Sequence, residues 1–302
     1  MKSAAFDYVR PSSLDEVCSH LAKGDDEFEW KILAGGQTLV PLMAMRLARP
    51  THLIDINRID ALQGVDITVE RVVIGAATRQ RVLERTPGLD KALPLLAKAL
   101  PHVGHIQTRN RGTIGGSIAH ADSSAEIPLV TLVLDGAVTL KRSAGERVVA
   151  IGDLFLGPME TTIQPDELMV SIELPVWNPP VGHGIGAGFH EMAPRKGDFA
   201  IASAAAQIEL DADGVCIRAA IGVGGCAPTP LKLATAEAAL IGHTPDEARI
   251  ADAVLTANDQ IDPESTLQAN ADYRRRVCPE LAKRAILDAV ADAKTAKTKA
   301  AS

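Results

Sequence analysis

The chain has 302 residues, an apolar fraction of 46% and a formal net charge of −7. That length predicts two or three subdomains, and the apolar share excludes wholesale disorder. The acidic balance argues against a nucleic-acid partner. The basic runs are Arg109-Asn110-Arg111, Arg274-Arg275-Arg276 and a Lys-dotted tail, none interleaved with aromatic residues.

In chain order, "FDYVRPSSLDEVCSHLAK" predicts a short extended piece and then a helix. Ser13 and Glu16 have capping-box spacing, and Leu14, Val17, Cys18 and Leu21 form one apolar stripe. "EWKILAGG" predicts a buried strand over Trp30 to Ala34 that ends in a glycine turn. "PLMAMRLA" follows as a short helix with Pro41 in its first turn. "THLIDI" reads as a strand and "VDITVERVVIGAATR" as a hairpin about Glu70-Arg71. "KALPLLAKALPHVG" reads as helix interrupted at Pro94 and Pro101.

After "RGTIGGSIAHADSSAEIP", the segment "AEIPLVTLVLDGAVTLKRSAGERVVAI" predicts short strands separated by glycine turns. "DELMVSIELPVW" predicts a strand on which Glu167 and Glu173 suit a solvent face as readily as a site. At "NPPVGHGIGAG", residues 178–188, the composition shifts to Pro and Gly. This predicts a domain boundary, with "GHGIGAG" as a flexible interdomain segment. The second domain opens with antiparallel strands around a hairpin at Asp211-Ala212-Asp213-Gly214 and finishes in three helices. The expected division is 1–177, 178–288 and a flexible tail over 289–302. Strands and helices that never settle into regular βαβ units indicate an α+β fold.

Cys18, Cys216, Cys226 and Cys278 have no C-x-x-C spacing. They read as reduced, buried thiols of a cytoplasmic protein, and no ferredoxin-type cluster is expected on this chain. The first residues lack the apolar core of a secretion signal. No stretch approaches the roughly 18 consecutive apolar residues that insert into a membrane.

Two Gly-Gly-hydroxyl turns stand out, Gly35-Gly36 with Thr38 and Gly115-Gly116 with Ser117. Backbone N–H groups in such turns bind anions, and missing side chains let phosphate oxygens come close. Neither turn has Walker A or G-x-G-x-x-G spacing. Singly, each reads more readily as an ordinary strand-ending turn that needs positive φ. Together, each expected after an apolar strand and before a polar residue, they point to a shared ligand. His102 and His105 form an H-x-x-H pair without a third ligand, so no metal is expected. "GGSIA" lacks the second glycine of a nucleophile elbow. Arg274 to Arg276 read as a solvated helix face, or less readily as a docking surface for a partner.

"AGGQTLVPLM" followed by "TIGGSIAHADSSAEIP" closely resembles the flavoprotein (medium) subunit of molybdenum hydroxylases, the family of bacterial carbon monoxide dehydrogenase and xanthine dehydrogenase-type enzymes. The resemblance extends over most of the chain, through "FDYVRPSSLDEV", "ELMVSIELP", "GFHEMAPRKGDFAIAS" and "YRRRVCPELAKRA". It implies an FAD-binding fold of the vanillyl-alcohol-oxidase/p-cresol-methylhydroxylase type with two α/β subdomains, then a smaller α+β domain specific to these flavoproteins. It implies that Ile32, Leu33, Ala34, Gly35, Gly36, Gln37, Thr38 and Leu39 wrap the FAD pyrophosphate from one side. Thr113, Ile114, Gly115, Gly116 and Ser117 would wrap it from the other.

Val103, Ala121 and Asp122 are implied as further contacts. Glu126 would lie near the adenosine, Met169 by the adenine or ring system, and His190 beside the isoalloxazine. Thr38 stands where Ser is commoner, Ser117 where relatives carry Asn or Asp, and Ser123 where Pro is frequent.

The resemblance further implies an electron-transfer subunit with no catalytic side chain of its own. It would take electrons from two [2Fe-2S] clusters on a small partner subunit and pass them to an external acceptor. A large subunit with the molybdenum cofactor would hydroxylate the substrate, in a dimer of heterotrimers. A stand-alone FAD-dependent oxidase is the second reading, disfavoured by the scarcity of aromatic residues. A binding protein that has lost flavin is the third, disfavoured by the intact glycines.

Overall fold

The structure is a computed structural model that describes residues 2–24 and 29–300, except for the side chains of 298–300. The first subdomain is a three-stranded parallel sheet of β1 (Asp7–Val9), β2 (Trp30–Leu33) and β3 (His52–Asp55), in the order β1-β3-β2. Helix α1 (Leu14–Leu21) covers it, burying Val17, Cys18 and Leu21 against Ile54, Ile56 and Ile59. Its capping is offset by one residue from the expected box. Ser13 Oγ accepts from Glu16 N at 3.2 Å, but the Glu16 carboxylate returns to Ser12 N at 2.8 Å. Helix α2 (Leu39–Ala44) leaves the glycine turn that ends β2.

The second subdomain is built on a five-stranded antiparallel sheet. Its strands are β4 (Val65–Ile67), β5 (Arg71–Gly75), β6 (Ala137–Arg142), β7 (Gly145–Ala150) and β10 (Leu168–Pro175), ordered β4-β5-β10-β6-β7. A small ribbon, β8 (Phe155–Gly157) and β9 (Glu160–Thr161), lies between β7 and β10 in sequence. Six short helices pack on the sheet: α3 (Gln80–Arg85), α4 (Leu89–Ala92), α5 (Pro94–Ala99), α6 (Ile106–Arg111), α7 (Ile114–His120) and α8 (Glu126–Val133).

Two expectations are corrected here. Glu126–Val133 is a helix, not a strand. Apart from Glu126 and Thr131 it is apolar, every residue but Leu132 is buried, and periodicity alone cannot separate such a helix from a buried strand. Pro128 fits because it falls in the first turn, where a missing N–H breaks no bond. The second Gly-Gly pair likewise follows a helix, α6, and itself lies in the first turn of α7.

The C-terminal part is a four-stranded antiparallel sheet of β11 (Gly184–Met192), β12 (Ala202–Leu210), β13 (Cys216–Gly224) and β14 (Leu231–Lys232) in sequential order. Helices α9 (Ala234–Leu240), α10 (Glu247–Leu255) and α11 (Ala271–Ala300) cover one face. The other face meets the second subdomain, so Ala187, Phe189 and Ala205 join its apolar core. All nine residues of β12 are buried between the two layers.

"GHGIGAG" is therefore no flexible linker. Gly184, Gly186 and Gly188 alternate along β11 on the face that α11 crosses. A Cβ on them would stand 2.1, 2.0 and 2.0 Å from the carbonyl oxygens of Ala293, Ala289 and Ala285. The absence of side chains lets helix and strand backbones touch. The same contact corrects the flexible tail: α11 runs on to Ala300, with Ala289, Val290 and Ala293 buried, while 301 and 302 lie outside the described residues.

Arg274 is also not a solvated residue. It is buried, donating to the carbonyls of Ile201 and Gly225 and to Thr266 Oγ1. Glu167 is buried too and receives a two-pronged bond from Arg147 at 2.7 and 2.8 Å, whereas Glu173 pairs with Arg71 near the surface. All four cysteines are free and buried. Among the described residues no helix is long and apolar enough to cross a membrane.

Gly186→Ala is expected to lower unfolding free energy by on the order of 3 kcal/mol, because its new methyl has no space without separating α11 from β11. Denaturant midpoints check this, and an unchanged midpoint would contradict the packing.

Candidate functional site

Strands β2 and β3 run parallel and adjacent, so their carboxyl ends open at one edge of the sheet, where ligands of such sheets collect. The first glycine turn leaves β2 at that edge; Asp55 ends β3 there and Asn57 follows it. A cavity of about 350 Å³ lies between them, lined by Gly35, Gly36, Gln37, Asp55, Asn57 and Arg111, among others.

Gly36 has φ +70°, the left-handed region that favours glycine. The N–H groups of Gly35, Gly36, Gln37, Thr38 and Leu39 have no intramolecular acceptor among the described residues. Those of Val40 and Leu42 bond to Gly36 O and Thr38 O at 3.1 Å and begin α2. The Thr38 hydroxyl makes no cap bond and adds a sixth donor. A run of unspent donors with no side chain at its centre suits an anion with several acceptor oxygens.

The second turn differs in chemistry. Ile114 N donates to Thr78 O at 3.1 Å and Gly115 N to Ala76 O at 2.9 Å. Gly116 N is taken by Thr113 Oγ1 at 3.1 Å and Ser117 N by Thr113 O at 3.2 Å. Its amides are thus spent inside the protein, which leaves the Thr113 amide and the Ser117 hydroxyl. The glycines here serve proximity: a Cβ on Gly115 would lie 2.6 Å from Ala76 O, and one on Gly116 2.7 Å from Thr113 Oγ1. The fold does bring the two turns together. A Cβ on Gly35 would stand 2.5 Å from Arg111 O and 2.8 Å from Gly112 Cα.

Beneath the turns lies a polar network that the sequence reading missed. Asn57 Nδ2 donates to Ala34 O at 2.9 Å and to Asp55 Oδ1 at 2.6 Å, and Asn57 Oδ1 accepts from Arg79 Nη2 at 2.5 Å. Arg79 Nη1 donates to Arg111 O, and Tyr8 OH donates to Asp55. Burial pushes the Asp55 carboxyl up, but the bonds from Tyr8 and Asn57 outweigh it and hold the group below its usual range. A usable signal existed: polar residues directly after apolar strands, in "LIDIN" and "VVIGAATR".

Other expected residues form a second cluster where the second subdomain meets the C-terminal sheet. Glu126 starts α8 and is buried; burial pushes its carboxyl up to about 7, its own amide opposes the shift, and the charge of Glu191 adds to it. His102 Nδ1 lies 3.0 Å from Glu191 Oε1, with its ring 5.0 Å from that of Phe189. Glu191 Oε2 is buried without a partner among the described residues.

Asp122 closes a turn by accepting from Ser124 N at 2.8 Å, after Ala121 at φ +53°. Val103 and Met169 belong to the apolar core that Ile114 and Ile118 share, Met169 facing Leu140 across β10 and β6. His190 is not brought to this cluster. Its even position on β11 turns it to α11, where Nε2 meets Asp288 at 2.9 Å, while Phe189 and Glu191 take the inner face. His105 packs on Gly197, and among the described residues no group of His, Cys, Asp and Glu side chains is placed to hold a metal ion.

These groups fit a flavin dinucleotide. Unspent amides suit a diphosphate, and the orphaned Glu191 oxygen suits a hydroxyl or ring N–H.

Residues 4–177 match the family model described as the FAD binding domain in molybdopterin dehydrogenase. Residues 187–289 match the CO dehydrogenase flavoprotein C-terminal domain. The chain is 39% identical over 297 residues to the 6-hydroxypseudooxynicotine dehydrogenase complex subunit alpha of Paenarthrobacter nicotinovorans, covering 98% of each. It superimposes with a TM-score of 0.92 and 34% identity on carbon monoxide dehydrogenase from Hydrogenophaga pseudoflava, in a form lacking the Mo-pyranopterin moiety, over 97% of this chain and 100% of that one. Quinoline 2-oxidoreductase from Pseudomonas putida 86 gives a TM-score of 0.89 at 35% identity, over 97% and 99%.

A carboxyl whose pKa is raised by folding binds its proton preferentially in the folded chain. The cost of Glu126 is therefore absent below pH 4.5, grows towards pH about 7 and is full above it. Glu126→Gln should gain on the wild type by on the order of 3 kcal/mol across that window. Denaturant midpoints at a series of pH values check this, and a pH-independent difference would contradict it.

Proposed function

Because the chain belongs to the family of FAD-binding medium subunits of molybdenum hydroxylases, we propose that it carries electrons and does not handle the organic substrate. It takes them from [2Fe-2S] clusters of a small partner subunit and delivers them to an external acceptor. The molybdenum cofactor and the substrate belong to a large partner subunit, and two such heterotrimers pair in the cytoplasm. Bound FAD supplies the conversion between two-electron and one-electron transfers.

The observation that carries this reading is the make-up of the cavity at the first turn. Among the described residues that line it, it offers unspent backbone donors and one carboxylate, with no histidine, cysteine, serine or lysine to act on a substrate. Its carboxylate, Asp55, is tied by Tyr8 and Asn57. In this reading the amides of Gly35 to Leu39 and the Thr38 hydroxyl hold the FAD diphosphate. The Ser117 hydroxyl and the Thr113 amide close on it from α7. Glu126, Val103, Ala121 and Asp122 line the path towards the C-terminal sheet, and Phe189 and Glu191 take the place first given to His190. Met169 supports that wall from the core.

The relatives support the division of labour. Three chains of similar likeness to this one serve proteins named for 6-hydroxypseudooxynicotine, carbon monoxide and quinoline. Those molecules share no shape that one common subunit could select. In this reading, substrate choice rests on the large partner subunit.

The test is anaerobic mixing of the FAD-loaded chain with its iron–sulfur partner subunit, reduced beforehand and freed of excess reductant. The expected result is loss of the oxidised flavin absorbance with reoxidation of the partner. A flavin that stays oxidised contradicts the relay. An isolated chain that oxidises aldehydes or N-heteroaromatics with oxygen would favour the oxidase reading instead.

A further inference from the structure

The two glycine turns lie far apart in sequence, and they are joined in space by one side-chain pair. Asn57 grips the first turn through Ala34 O at 2.9 Å and Leu33 O at 3.4 Å. Its own carbonyl oxygen accepts from Arg79 Nη2 at 2.5 Å. The other arm of the same guanidinium donates to Arg111 O, the carbonyl just before Gly112 and the second turn. Backbone bonds fix Arg79 from behind, since Gln80 N donates to Gly112 O at 2.9 Å and Arg79 bridges Thr113. Asp55 holds Asn57 through both its backbone N–H at 2.9 Å and its Nδ2 at 2.6 Å, and Tyr8 holds Asp55.

We propose that Asn57 and Arg79 are positioning residues that set the spacing of the two turns and place a fixed positive charge behind the dinucleotide's diphosphate. The proposal rests on the FAD reading of the site and names the residues that govern its affinity. Three observations converge on it. The planar fork of arginine presents two donors in a fixed geometry to two separate acceptors, which the compact, freely rotating ammonium of a lysine does not reproduce. Arg111 O is the atom that a Cβ on Gly35 would strike at 2.5 Å, so the Arg79 bond and the bare Gly35 keep one carbonyl in one place. Burial and, after it, the neighbouring Arg111 guanidinium disfavour the Arg79 charge, while the Asp55 carboxylate opposes them. Like charges gathered at a cavity wall are relieved by an anion.

The test uses the full chain freed of flavin, with Arg79→Lys, Arg79→Gln and Asn57→Ser, titrated with FAD, ADP and riboflavin, beside the melting temperature of each apo variant. ADP carries the diphosphate without the flavin, and riboflavin the flavin without phosphate. The expected result is a loss on the order of tenfold or more in affinity for both FAD and ADP in all three variants. Riboflavin binding should change much less, and Arg79→Lys should recover part of the loss in Arg79→Gln through its charge.

Any of these variants that is folded by its melting temperature and binds FAD and ADP within about twofold of wild type overturns the proposal. A loss that is equal for riboflavin also overturns it, because it would mean a general collapse of the site. Should Arg79→Gln fail to fold, Arg79→Lys and Asn57→Ser decide by the same criteria. Wild type that binds neither FAD nor ADP would sink the underlying reading of the site, a result distinct from either of these.

Discussion

A backbone N–H is an obligatory donor, and folded proteins pair most of them within the chain; those left over at a partly open surface are held by water or by a ligand. The turn after β2 keeps five in a row without an acceptor among the described residues, and the surrounding structure is arranged to hold that turn open. Gly35 must be bare because Arg111 O lies against it, and Gly36 must be glycine-like because of its positive φ. The parallel pairing of β2 with β3 puts Asn57 under the turn, and the bare flank of α7 lets the second subdomain close on it. The cavity and its run of free donors follow from these constraints taken together, with the first turn supplying the donors and the chain around Arg111 and Gly112 bounding it.

The same economy of side chains builds the rest of the molecule. Alternating glycines on β11 bring α11 into backbone contact, which fixes that strand's two faces. Once even positions are given to the helix, odd positions must face the second subdomain, because successive strand residues point to opposite sides. Strand parity therefore turns Phe189 and Glu191 inward towards His102 and sends His190 to Asp288. A contact made for stability thus decides which residues border the region beside Glu126.

Much of this was legible in the sequence. The glycine turns, the strand before the first of them, the hairpins at Glu70-Arg71 and Asp211 to Gly214 and the three closing helices follow from local rules. Those rules survive folding because backbone geometry demands them. What local rules missed depends on tertiary contact. Residues 126–133 are apolar except for Glu126 and Thr131, so no period distinguished helix from strand. Arg274 read as solvent-facing, and Glu167 as suited equally to a solvent face or a site, because burial of a charge is invisible until its partners, Ile201 O and Arg147, are placed beside it. "GHGIGAG" read as a linker because glycine means freedom in isolation and close approach only when something lies across it. Asn57 and Arg79 carried no motif, and only the topology brought them between two turns.

The most direct test is amide hydrogen exchange of the flavin-free chain, resolved to single residues, with and without FAD. The account predicts that the amides of Gly35 to Leu39 exchange rapidly without FAD and become strongly protected with it. The amides of Gly115 to Ser117, already bonded within the chain, should change little. Strong new protection at Gly115 to Ser117 with none at Gly35 to Leu39 would contradict the account, because the diphosphate would then lie on the other turn.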